Sequence, residues 1–341
     1  FLKNRIVISP MCQYSAINGS PTLWHYNHLS KLACTGAAML MIESTAVNKN
    51  GKISHKDLCL SNKKQEHNLK KLKNHLQKIS DISLGIQISH AGRKGSSMVP
   101  WVKSNSPIKK KNSWQTYAPS SIKRAKNWPT PKSLNSKQIR KIIVDFKKTA
   151  IRAKRIGFDC LEIHMAHGYL LHQFLSPISN KRLDEYGSNR KNRTKLPLEI
   201  ASEIRKIWPK NKILGARITA TDHLDGGINL KDSIEFVKKL KKIGFDYVCV
   251  SSGGILPVTK LKLKNAFRKN FSKKIKSETK ILTRITGQID DVRTVNRLLK
   301  DGSADFIAVA RKFIKDPNWI LREAKKNKIK NYIPNQYLRC L

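Results

Sequence analysis

Two histidines, His164 and His167, stand just ahead of Tyr169 in the run EIHMAHGYLLHQFLSPISN at residues 162–180. Imidazoles at this spacing can hold a metal ion or present two N–H donors to one oxygen, and a phenol nearby can deliver a proton. The metal alternative lacks support, because the His-Glu-x-x-His pattern of zinc proteases is absent and no third ligand is evident. A second His-x-x-His, His25 and His28, falls at the start of a helical segment, where packing and capping account for it. Other special residues occur in short runs: PMCQYS (Pro10, Met11, Cys12 and Tyr14), ESTAV (with Ala46), and Gln87 just before SHAGRK. Arg217, SSGG (with Gly253), TGQ (with Gly287) and the pair Ala310–Arg311 complete the set. Taken alone, Gln87 reads equally as a buried polar group of a strand, and Arg217 as half of a structural ion pair. No Gly-x-Gly-x-x-Gly follows a strand-like run, so a separate dinucleotide-binding domain is not indicated.

The elements that must carry these residues are short and β-rich. Apolar runs occur at residues 5–9, 38–43, 84–89, 160–164, 213–219, 247–251, 281–285 and 306–310. Segments of helical period lie between them. Residues 137–156 place Ile139, Ile142, Ile143, Phe146, Ala150 and Ala153 on one face, and Gly157 follows as a C-cap. Residues 230–243 end the same way, at Gly244. Strand and helix alternating eight times predict parallel strands in a closed α/β fold, a (β/α)₈ TIM barrel. Connections 90–135 and 165–197, after the third and fourth strands, are too long for simple turns and read as functional loops. The special residues all fall at the C-terminal ends of the strands, the face on which barrels build active sites.

Length and composition agree with this expectation. A chain of 341 residues is long for an ordinary domain but usual for such a barrel, and 39% hydrophobic residues supply a core. One domain over residues 1–341 is expected, with a trimmed N-terminus because the chain begins at Phe1. No apolar run is long enough for a membrane span. Cys12, Cys34, Cys59, Cys160, Cys249 and Cys340 are dispersed without a Cys-x-x-Cys pair. That excludes a disulfide scaffold and argues against zinc or iron–sulfur sites, so a cytoplasmic location is expected. Lys and Arg number 68 against 23 acidic residues, a net charge of +45. A nucleic-acid partner or an anionic surface would explain the excess. The lysines are spread over many helices, without a basic arm or interleaved aromatics, which favours solvated helix faces.

The motifs resemble those of the old yellow enzyme family of flavin-dependent ene-reductases, in particular its bacterial, cysteine-containing, YqjM-like branch. The similarity runs from LKNRIVISPMCQYS through IQISHAGRKGS, WQTYAPSSI, GFDCLEIHMAHGYLLHQFLSPISNKRLDEYG and ARKFIKDP to QYLRC, and residues 157–187 are its most specific stretch. The resemblance implies FMN across the barrel mouth and NAD(P)H as hydride donor. Gln87 would meet the flavin's pyrimidine edge, and Arg217 would sit near N1 and O2, where the reduced ring gathers negative charge. Pro10, Met11, Cys12 and Ala46 would line its edge and central ring. Gly253 and Gly287 would let backbone amides approach the phosphate, and Arg311 would bind it bidentately. Ala310 stands where the family often has Gly, which narrows that approach.

The same resemblance implies reduction of the activated C=C bond of α,β-unsaturated carbonyl or nitro compounds. His164 and His167 would hold the substrate oxygen, and Tyr169 would protonate the α-carbon. Tyr14 would join the substrate pocket, and Cys12 would tune the flavin, its alternative being a buried inert thiol. Nicotinamide would visit the substrate's own site in alternating half-reactions. Arg339 of QYLRC would enter a neighbouring subunit's site in a homodimer or homotetramer; a terminal surface arginine is the plainer reading. A flavin-dependent tRNA dihydrouridine synthase would explain the charge, but its protonating cysteine and RNA-binding tail are not visible. A basic nucleic-acid-binding barrel without reductase activity leaves the one-sided constellation unexplained.

Overall fold

The computed structural model describes residues 2–257, 264–329 and 334–339; Cys340 lies outside them. Eight barrel strands follow one another in the chain: β1 (Ile6–Ile8), β2 (Met39–Ala46), β3 (Ser83–Ser89), β4 (Cys160–Met165), β5 (Ile213–Thr219), β6 (Tyr247–Ser251), β7 (Leu282–Ile285) and β8 (Phe306–Val309). They form a closed barrel in chain order, all parallel. Closure comes from β1, whose Ile6 lies opposite Ile307 of β8 while Val7 lies opposite Met39 of β2. The eight-unit alternation expected from the sequence is therefore present.

The outer ring consists of α1 (Leu23–Ala33), α2 (Lys63–Ile79), α3 (Ser136–Ile156), α4 (Lys195–Ile207), α5 (Leu230–Ile243), α6 (Lys269–Thr279), α7 (Val292–Lys300) and α8 (Trp319–Lys326). Local chemistry fixes their ends. Asn135 and Gln138 form a reciprocal capping box at the start of α3, both bonds 2.9 Å. Gly157 and Gly244 end α3 and α5 at φ 93° and 99°, left-handed values that only glycine adopts without strain. The buried face of α3 holds Ile139, Ile142, Phe146, Ala150 and Ala153, as the periodicity predicts, whereas Ile143 is only partly buried. Each such side chain contributes roughly 1.5–3 kcal/mol, less for the alanines. Among the described residues no helix is long and apolar enough to cross a membrane.

Strand alternation divides the side chains of β4. Leu161, Ile163 and Met165 join the main core that includes the helices, whereas Cys160 packs in a separate cluster with Val7, Met39, Met41, Tyr247 and Cys249. Above that floor Glu162 accepts from Gln87 Nε2 at 2.7 Å and from the Tyr247 hydroxyl at 2.8 Å, and it pairs with Arg284. This fully buried network fixes the level on which His164 stands, two residues further along the same strand.

Candidate active site

The turn that follows β4 carries the two histidines and the tyrosine. His167 takes a left-handed φ of 57° and Gly168 one of 71°, so the chain doubles back and returns Tyr169 over His164, their rings 4.5 Å apart. A side chain at Gly168 would stand 2.2 Å from the Gly254 carbonyl oxygen, which explains the glycine. His172 Nδ1 accepts the Gly168 N–H at 2.7 Å, and its Nε2 meets Asp222 at 2.9 Å. Gln173 donates to the carbonyls of Gly168 and Ala91 at 2.6 and 3.1 Å. All three side chains are buried. Sequence reasoning did not single out His172, Gln173 or Asp222, although the first two lie inside the most specific motif.

The histidine pair is wired as a relay. The Ala166 N–H donates to His164 Nδ1 at 3.2 Å, so a neutral His164 carries its proton on Nε2. That nitrogen faces His167 Nδ1 at 3.2 Å, and His167 Nε2 lies 2.6 Å from the Ser251 hydroxyl. Both imidazoles titrate well below the ordinary histidine value, first because burial penalises their charge and then because Arg217 stands close by. They are neutral N–H donors at physiological pH. Expectation placed both donors on a substrate oxygen; here His164 Nε2 faces His167 and His167 Nε2 meets Ser251, a partner that sequence reasoning missed.

Tyr169 is the opposite case. Burial first, then Cys12, Tyr14 and Asp57, push its phenol well above the usual range, against a lowering by Arg124. It stays protonated and can act as an acid. Tyr14, itself raised chiefly by burial, sits at a left-handed φ of 47° and meets Trp101 edge-on at 6.0 Å. Trp24 donates to Gln13 at 3.0 Å, and Trp114 to the Asn50 carbonyl at 3.3 Å. Cys12 is also held as a thiol, by burial first and then by the Glu43 and Asp57 carboxyls. Pro10, Met11 and Cys12 are half-buried after β1, and Ala46 is buried at the end of β2. Of the other thiols among the described residues, Cys59, Cys160 and Cys249 are buried and Cys34 is half-buried. His25 receives the Thr22 N–H at 3.1 Å and is fully buried, so the second His-x-x-His begins with a cap, as expected.

The residues present fit FMN. Arg217 lies opposite His164 in the sheet, and its buried Nε has no partner among the described residues, as a cation awaiting an acceptor would. Gln87 spends its amide nitrogen on Glu162, which leaves its carbonyl oxygen to accept a ring N–H. A cleft beyond the ends of β7 and β8 is lined by Gly287, Ala310, Arg311 and Arg268. Arg311 is exposed at its edge, and a side chain at Gly287 would press on Phe267 at 3.0 Å. Arg268 was not foreseen; its Nε donates to Ser252 at 3.1 Å and its guanidinium lies over Phe267. Gly253 departs from expectation in one respect. Its N–H already donates to the Thr221 carbonyl at 2.8 Å, so it offers close approach rather than a donor.

Arg339 is not brought to this mouth. It is exposed, and Pro334–Gln336 just before it line a cleft with Lys3, Gly36 and Asp81, at the opposite rim of the barrel. Among the described residues no group of three metal-ligating side chains occurs.

A parallel barrel whose mouth offers a buried arginine Nε without a partner among the described residues, a fixed amide and a cleft lined by two arginines fits a flavin-dependent oxidoreductase. Comparison agrees: the NADH:flavin oxidoreductase / NADH oxidase family model matches residues 1–331. An NADPH dehydrogenase of Clostridium acetobutylicum is 36% identical over 341 residues, 99% of this chain and 96% of that protein. Morphinone reductase in complex with tetrahydroNAD shares the fold with a TM-score of 0.78 at 22% identity, over 98% of this chain and 89% of that one. A 2-naphthoyl-CoA reductase gives a TM-score of 0.85 at 20% identity over 95% of this chain, which spans 50% of that reductase. The chain belongs to the NADH:flavin oxidoreductase / NADH oxidase family, that of the old yellow enzymes, and is an FMN-dependent NAD(P)H dehydrogenase.

Proposed function

We propose that this enzyme reduces the activated C=C bond of α,β-unsaturated carbonyl or nitro compounds, in half-reactions that share one site. The observation that carries this reading is the neutral His164–His167 pair, 3.2 Å apart, beneath a Tyr169 held in its protonated form. FMN bound there would take a hydride equivalent from NAD(P)H and pass it to the β-carbon. Gln87 and Arg217 would hold its ring, Pro10, Met11, Cys12 and Ala46 its edge, and Gly253, Gly287, Ala310 and Arg311 its phosphate end. The His164 Nε2–H would bind the substrate oxygen, with His167 turning its N–H from Ser251 to the same atom. Neutral donors preorganised at a developing enolate contribute a few kcal/mol. Tyr169 would then protonate the α-carbon, and Tyr14 would wall the pocket.

The chain would act as one FMN-binding unit, and Arg339 would complete a neighbour's pocket in a homodimer or homotetramer. Nucleic acid is not a partner in this reading, and the compartment is cytoplasmic.

Tyr169→Phe tests the assignment. Flavin reduction by NADPH needs no carbon protonation and should be nearly unchanged. Reoxidation by cyclohexenone should slow by about 10²–10⁴-fold, and reoxidation by a quinone should survive. Equal slowing of both halves would make Tyr169 a positioning residue and send the proton elsewhere.

A further inference from the structure

The loop after β3 delivers three cations to the rim beside Tyr169. Arg93 spends both terminal nitrogens on backbone, donating to the carbonyls of Ile122, Lys123 and Ile255 at 3.1–3.4 Å, and staples the loop down; only its buried Nε has no partner among the described residues. Lys94 and Arg124 are not so consumed. Lys94 Nζ makes one bond, to the His167 carbonyl at 2.7 Å, and lies 5.0 Å from the centre of the Tyr169 ring. Arg124 is 6% exposed; it donates to Asn105 at 3.1 Å and stacks on Trp128, while its buried Nε has no partner among the described residues. None of the three is within ion-pair distance of a carboxylate among those residues.

Two cations in one buried place repel each other and lose hydration, a cost that an anion from outside would offset. Burial first, then the neighbouring Arg124 and Arg93, bring Lys94 down to about 7, and no carboxylate offsets the shift. FMN does not supply it: its phosphate end belongs to Arg268 and Arg311, and its ring to Arg217. The 2′-phosphate of NADPH lies at the far end of the dinucleotide from the reacting nicotinamide, whereas Lys94 is one side chain away from the proton donor.

We propose that the pocket is built for activated alkenes bearing a carboxylate, which Lys94 and Arg124 hold a few bonds from the reacting carbons. This rests on the enone-reductase reading above and adds the substrate's charge to it. The test uses oxidised, FMN-loaded protein, in which a bound enone perturbs the flavin spectrum without turnover. 4-Oxocyclohex-2-ene-1-carboxylate and its neutral carboxamide are titrated in turn. The carboxylate should bind about tenfold or more tightly than the amide. Lys94→Gln and Arg124→Gln should each bring that ratio towards one while leaving the amide's affinity within about twofold, which shows the pocket intact.

Equal affinities in the unmodified protein, or a ratio that survives both substitutions, would overturn the proposal and leave the enone reading standing. If the substitutions instead erased a preference for NADPH over NADH, the two cations would read the dinucleotide, and the proposal would again fail. If neither ligand perturbed the flavin, the enone reading itself would fall with it.

Discussion

At the scale of single residues, charge decides what each group can do. Arg217 and Arg268 are both half-buried near the histidines, and each lacks a carboxylate partner among the described residues. A buried charge without a counter-ion is costly, a cost that a bound anion would offset. The anion cleft allows a direct prediction. Arg311→Ala should release FMN on dialysis, since a phosphate loses a bidentate partner. Arg268→Gln should weaken FMN by roughly 10-fold, the worth of one charge-assisted bond, while riboflavin, which has no phosphate, should bind as before. Fluorescence titration of both flavins reads this out, and equal weakening of the two would place Arg268 away from the phosphate. Arg217 and Gln87 could be singled out in the sequence because each lies in a β-rich run, and their flavin roles are part of the proposal above. Arg268, Lys94 and Arg124 were not singled out: Lys94 lies inside the SHAGRK run, but only the folded loops bring these side chains to the mouth.

At the scale of elements, the turn after β4 is held by its own Gly168 and by the buried His172–Asp222 pair. Gly168 abuts Gly254 from the facing loop, and Gly254 in turn would meet the His167 backbone at 2.8 Å if it carried a side chain. The two loops are therefore locked only where both lack Cβ. Gly168→Ala should destabilise the protein by roughly 1–3 kcal/mol through strain alone, and the displaced turn should also cost enone turnover. A thermal melt and steady-state rates suffice, and an unchanged melting temperature with full activity would refute the tight approach. The strands themselves were readable from periodicity, and the predicted runs differ from the observed strands by at most three residues at any end. The Glu162–Arg284 pair was less readable. Its signal was a charged residue in each of two short apolar strands, but only the register around the barrel shows that they meet. Because the pair is fully buried, Arg284→Met alone should leave Glu162 uncompensated and cost about 3–5 kcal/mol.

At the scale of the whole molecule, the excess of 68 basic over 23 acidic residues leaves most lysines on helix faces in solvent, with Lys73 an exception, buried and bonded to Gln77 at 2.6 Å. Pro334–Gln336 line a cleft on the rim opposite the histidine pair, so in the proposed oligomer the exposed Arg339 would enter the mouth of another copy. Deleting residues 337–341 should raise KM for enones and leave flavin content intact, whereas unaltered kinetics would make the tail a surface feature. C=C reduction is tested most simply by the visible spectrum of the purified protein under anaerobic conditions. An enzyme that reduces activated C=C bonds shows flavin bands that bleach on adding NADPH and return, with cyclohexanone as product, on adding cyclohexenone. Bands that bleach but are restored only by oxygen or a quinone would contradict it, leaving an NAD(P)H dehydrogenase that does not reduce C=C bonds.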